Sequence, residues 1–225
     1  MQLGVGSGAR PGHRTSAIVG VIIALGWPLL FLGADHDLLN VRDDIRTICV
    51  EWAVVLVLAL IAFRMQRRRP SAFGLAMFGW RDVLAMLALL AAAYLFSGLV
   101  SSFVKMPARL DFHRLGTIPL ALRAGLTLTA GIAEECMYRG FGIEELGDLI
   151  GSRWLAALVS LLCFTFGHAG RYGFSPALLI PGGLGAALTV LYLWRRNLPI
   201  CMCMHAILDG ISLILVPALM HATGR

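Results

Sequence analysis

The sequence predicts an all-α, polytopic membrane protein of about seven transmembrane helices plus a short interfacial helix, and three observations carry that prediction. Of the 225 residues, 58% are hydrophobic and only 14% charged, against about 25% charged in a soluble domain. Mean hydropathy is +0.79, and at about 20 residues per span seven helices consume about 140 residues, leaving short connections. The apolar segments show no alternating pattern, and backbone amides cannot stay unpaired in lipid, so helices are favoured over a barrel.

The elements follow in order. Arg10 and Arg14 precede an apolar stretch at about 16–33; no small-residue cleavage motif follows it and Trp27-Pro28 interrupts it, so it reads as an uncleaved first span. The second, 48–63, runs into Arg64, Arg67, Arg68 and Arg69, a cytoplasmic flank suited to anionic lipid. Spans follow at 83–104 and 117–138. Phe141–Ile150 then puts Ile143, Leu146, Leu149 and Ile150 on one helical face, the pattern of a short interfacial helix. The last three spans are 154–168, 174–194 and 200–220. Pro181-Gly182-Gly183 and Gly185 interrupt the sixth, where glycines let another helix approach closely. With no repeat and no low-complexity tract, residues 1–225 read as a single integral membrane domain.

Loop charge sets the orientation. Segment 34–47 holds Asp35, Asp37, Asp43 and Asp44 against Arg42 and Arg46, whereas 64–82 holds five arginines against Asp82. The second loop and the N-terminus are therefore inside, with Gly140–Arg153 and Arg195-Arg196 on the same side; Lys105, Arg109 and Arg114 fall outside. The basic balance, 19 Lys+Arg to 13 Asp+Glu, thus marks membrane flanks and membrane lipids as partners, not nucleic acid. Five cysteines in apolar segments exclude a disulfide framework. Cys201-x-Cys203-x-His205 does not make a soft-metal site, because Cys201 and Cys203 lie about 200° apart on a helix.

Ionisable groups inside spans are costly and are usually tied to function. Three clusters stand out: Glu134-Glu135-x-x-x-Arg139 closing the fourth span, Ser160-x-x-x-Phe164-x-x-x-His168 along the fifth, and His205-x-x-x-Asp209 in the seventh. Glu135 and Arg139 are spaced to pair on one face, which turns Glu134 about 100° away. His205 and Asp209 share a face, so the carboxylate is expected to orient the imidazole. Glu51, in the second span, reads as lying near an interface. A carboxylate and two imidazoles from three helices suit activation of water: Glu134 as general base, His168 as its partner and proton donor to the leaving amine, His205 as oxyanion donor.

These motifs, in this order, resemble the CAAX protease and bacteriocin-processing family, also called Abi, of intramembrane endopeptidases, over about Leu120 to Leu215. The resemblance implies a multi-helix core with a cavity, type II CAAX prenyl endopeptidase-like hydrolysis of a membrane-tethered or hydrophobic peptide, and an integral, multi-pass location in a bacterial cytoplasmic membrane. By motif position it makes Glu134 and His168 the water-activating pair, Glu135 and Arg139 their support, and His205 and Asp209 the oxyanion side. Prenyl-processing members carry Asn where this chain has Asp209, and an ionised carboxylate only accepts; the expectation is that His205 alone donates. No cofactor is expected; zinc on Glu134, His168 and His205 is the alternative. Two other classes compete: a non-catalytic membrane scaffold or immunity-type factor, and a proton or solute carrier, since carboxylate and histidine chains also relay protons.

Overall fold

A computed structural model describes residues 11–27, 41–107 and 115–223. Arg10, Pro28, Asp35, Asp37, Arg109 and Arg114, and with them parts of the first span and of the orientation argument, lie outside the described residues. Eight helices occur among those residues, and no strand: α1 (Pro11–Gly26), α2 (Val41–Met65), α3 (Trp80–Phe103), α4 (120–150), α5 (Arg153–Gly167), the one-turn α6 (Ala169–Tyr172), α7 (Pro176–Arg195) and α8 (Leu198–Thr223).

Four of these, α2, α3, α7 and α8, are long and apolar enough to cross a membrane, and α1 and α5 are shorter apolar helices. The expected count of seven like spans is therefore revised. The fourth segment is long enough, but Arg123, Glu134, Glu135 and Arg139 interrupt its apolar run. It occupies the middle of the bundle, in contact with α1, α2, α5 and α8. The separate interfacial helix is also revised: Glu144–Ile150 continues α4, and Glu144 and Glu145 are buried, not solvated. Ion pairs explain the difference, since Arg153 and Arg196 reach Glu144 while Arg68 reaches Glu145 and Asp148.

Local chemistry fixes the ends. Gly151, at φ 74°, ends α4 in the left-handed conformation glycine tolerates, and the Ser152 hydroxyl accepts from Leu155 N–H to start α5. Asn197 caps α8 by accepting from Ile200 N–H, and the Asp82 carboxylate accepts from Gly79 N–H at the start of α3. α7 runs unbroken through Pro181, which lies near its start where a missing N–H costs little. Its glycines serve close packing, as the sequence suggested: a methyl group on Gly183 would collide with the Phe96 ring of α3.

Two apolar clusters hold the bundle. One joins α3, α7 and α8 through Leu188, Leu191, Tyr192, Ile200 and Met204; the other joins α1, α2, α4 and α5 through Leu58, Met137, Tyr138, Phe141 and Phe164. The motif residues sit on the seam between them.

Candidate active site

Helix α4 is π-helical over Ala130–Glu134 and Cys136–Ile143, with Glu135 between the two segments. Such widened turns recur at functional sites, because they re-aim neighbouring side chains. Glu135 points into the bundle and is 0% exposed. Its Oε1 accepts from Arg139 Nη1 at 2.7 Å, the pairing expected from the spacing, and also from His205 Nδ1 at 2.7 Å. Arg139, 1% exposed, donates its other terminal nitrogen to the Gly185 carbonyl at 2.9 Å. A continuous polar chain therefore runs from α7 through α4 to α8, each member inside the protein and each with a partner.

That chain corrects one expectation. Asp209 Oδ2 stands 3.9 Å from His205 Nε2, beyond hydrogen-bond distance, so Glu135 and not Asp209 orients the imidazole. The reason is tertiary: helical spacing put Asp209 within reach of His205, but the close approach of α4 brings a carboxylate from another helix nearer. Gly131 permits that approach, since a Cβ there would lie 2.9 Å from the Ala206 Cβ and 3.0 Å from its backbone nitrogen.

Phe164 is the apolar counterpart of this chain. Its ring lies under the Arg139 guanidinium at 4.6 Å, 4.6 Å from the His168 ring, 5.2 Å from Tyr138 and 6.0 Å from His205. Gly185 leaves room for it: a Cβ there would approach Phe164 Cδ1 to 2.7 Å. Ser160, one turn before, donates to the Tyr138 carbonyl at 2.7 Å and ties α5 to α4. His168 Nδ1 donates to the Phe164 carbonyl at 2.8 Å; a carbonyl only accepts, so Nδ1 holds a proton and Nε2 is left for another partner.

Glu134 turns away from this chain and lines a small cavity with Glu51, Asp209, Arg171, Thr47 and Thr129, large enough to hold a water molecule. Oε2 of Glu134 and Oε2 of Glu51 are buried with no protein partner, which marks a polar site to be satisfied by water or substrate. Two residues here were not anticipated. Glu51 is 6% exposed and faces the cavity, correcting its placement near an interface; the signal was present, as a lone acid in an apolar span. Arg171 follows His168 by one turn and had no sequence signal beyond that proximity. Trp52 Nε1 donates to Thr129 Oγ1 at 3.1 Å and holds α2 against α4, which keeps Glu51 in place.

Among the described residues no three His, Cys, Asp or Glu side chains gather as a metal-binding group. Both imidazoles have Nδ1 engaged within the protein, His168 on a carbonyl and His205 on a carboxylate, which leaves Nε2 as the free ring nitrogen of each. Cys201 is buried and Cys203 exposed, on opposite sides of α8 as their spacing requires.

Residues 116–211 match the family model described as type II CAAX prenyl endopeptidase Rce1-like. This segment is an Rce1-like domain. The match covers Glu134, Glu135, Arg139, His168, His205 and Asp209, while Glu51 lies outside it on α2. The matched family is of CAAX protease type, and the match over this segment together with four helices long and apolar enough to cross a membrane supports an integral membrane protein that carries a protease-type domain. No curated protein and no solved structure matches the chain.

Proposed function

We propose that the protein is a metal-independent intramembrane endopeptidase that hydrolyses a peptide bond of a membrane-associated peptide, with residues 1–225 acting as one domain. The observation that carries this reading is the division of labour between adjacent glutamates: Glu135 engages Arg139 and His205 through Oε1 in the bundle interior, whereas Glu134 faces a water-sized cavity with its Oε2 buried and unpartnered.

In this mechanism Glu134 takes a proton from water, whose oxygen attacks the scissile carbonyl carbon. His205, protonated and held at Nδ1 by Glu135, donates from Nε2 to the oxyanion; such donors are worth about 3–4 kcal/mol. His168 supports the water through Nε2 and relays the proton to the nitrogen as the C–N bond breaks, giving an acid and an amine. Asp209 lines the cavity and accepts from water. Membrane lipid and a hydrophobic peptide are the partners, and a bacterial cytoplasmic membrane is the proposed location.

The test is Glu134→Gln, nearly isosteric and outside the Glu135 chain. Wild type cleaves a hydrophobic peptide library in detergent, with and without a strong chelator, and the variant folds but does not cleave. Cleavage by the folded variant would refute the assignment and leave a scaffold that acts by binding; loss of wild-type cleavage on chelation would refute the metal-free route.

A further inference from the structure

Helix α2 brings to the cavity an acid that the three motifs leave unused. Glu51 is 6% exposed, and its Oε2, like Oε2 of Glu134, is buried with no hydrogen-bond partner among the described residues. Both side chains line the same space, which is the size of a water molecule. A carboxylate inside an apolar span is costly and is usually tied to function. The packing holds it there: Trp52, the next residue, donates to Thr129 on α4 and so fixes the rotation of α2 that turns Glu51 toward Glu134.

The third acid at the cavity has a different setting. Asp209 keeps 28% of its side chain exposed, so its oxygens are not confined to this space. Glu51 and Glu134 each have a buried oxygen that only the cavity can satisfy. Arg171 lines the same cavity and sets a positive charge beside these acids. Two acceptors facing one water-sized space match the two O–H donors of one water molecule. Glu51 also stands outside the Rce1-like segment, residues 116–211, so that segment alone supplies only one of the two carboxylates.

We infer that Glu51 is a second carboxylate of the reaction centre, which holds the attacking water for Glu134. The inference rests on the protease reading. The water presents one O–H to Glu134 and the other to Glu51 Oε2. As its oxygen bonds to the scissile carbonyl carbon, the first proton passes to Glu134 and the carbonyl π electron pair moves onto the oxyanion. The second O–H bond stays intact and becomes the hydroxyl of the tetrahedral intermediate. Glu51 therefore takes no proton; anchoring the second hydrogen turns a lone pair of the water away from both carboxylates and toward the substrate.

The experiment compares Glu51→Leu and Glu51→Gln with wild type in the full chain, in detergent, on one hydrophobic peptide that wild type cleaves. It reads kcat, KM and Tm separately. Glu51→Leu should melt at or above the wild-type temperature, because an apolar side chain in place of a buried, unpartnered carboxylate costs the fold nothing. Its kcat should fall about 100-fold, with KM held within about twofold. Glu51→Gln keeps an uncharged acceptor and should lose only about tenfold in kcat. A loss under about tenfold in Glu51→Leu, or a Glu51→Gln slower than Glu51→Leu, overturns the inference. So does a raised KM with kcat kept, which makes Glu51 a substrate contact. A Glu51→Leu chain that fails to fold, or melts more than about 2 °C below wild type, makes the residue structural and overturns it as well. A wild-type chain that cleaves no peptide refutes the protease reading itself, whereas wild type and Glu51→Leu cleaving alike refutes only the role given to Glu51.

Discussion

Removing the Glu135 carboxylate should destabilise the protein far more than an average substitution. In Glu135→Ala, Arg139 stays 1% exposed and loses the one carboxylate it pairs with among the described residues, and His205 loses the acceptor on Nδ1. Breaking a buried ion pair from one side costs about 3–5 kcal/mol. Arg139 keeps the Gly185 carbonyl and the Phe164 face, which places the expected loss near the lower figure, about 3 kcal/mol. At roughly 2–4 °C per kcal/mol for a chain of this size, the Tm in detergent should fall by roughly 6–12 °C. Glu135→Gln keeps an acceptor but not the charge and should lose about 1–2 kcal/mol. The double variant Glu135→Ala, Arg139→Met removes both charges and should be more stable than Glu135→Ala alone, with a coupling of about 2 kcal/mol. Thermal unfolding followed by intrinsic fluorescence reads these chains together with Arg139→Met, the single variant that closes the cycle. A Glu135→Ala shift under about 2 °C, or strictly additive losses in the double variant, would refute the claim that these residues form one buried unit.

Other perturbations follow the same geometry. Gly131→Val should push α8 from α4, costing about 1–3 kcal/mol by overpacking and abolishing cleavage, read by Tm and peptide turnover on the same sample; normal turnover would refute the close-approach argument. Asp209→Asn should retain most of the turnover while Glu135→Gln loses it, because Glu135 holds His205; the reverse order would return the orienting role to Asp209. Phe164→Ala should cost about 3–5 kcal/mol as a buried aromatic truncation, measured by unfolding, and a near-neutral result would remove Phe164 as the packing centre. Glu144, beyond the spanning part of α4, is pushed up from the ordinary carboxylate range by burial, against the pull of Tyr192 and Arg153. A carboxyl raised on folding favours the fold most when protonated, so its contribution falls as pH rises from the unfolded value through the raised folded one. Glu144→Gln should remove this fall, so that Tm declines less, or rises more, as pH increases from the ordinary carboxylate range, and an unchanged slope would refute this.

The all-α membrane class, four of the expected spans and the pairing of Glu135 with Arg139 were legible in the chain itself. Each rests on local periodicity: a run of apolar residues of bilayer length, or an acid four residues from a base, reads the same whatever surrounds it. The same local reading misassigned the orienting partner of His205 to Asp209 and put Glu51 near an interface. It also split Glu144–Ile150 from α4 as a surface helix, although those glutamates are buried by Arg68 just past α2, Arg153 at the start of α5 and Arg196 just past α7. Those matters are set by which helices approach and how closely, through contacts such as Gly131 on Ala206 and Gly185 on Phe164. Spacing along one helix determines which side chains share a face; only packing between helices decides what that face meets, because distances between separate elements are not encoded in the period of any one of them.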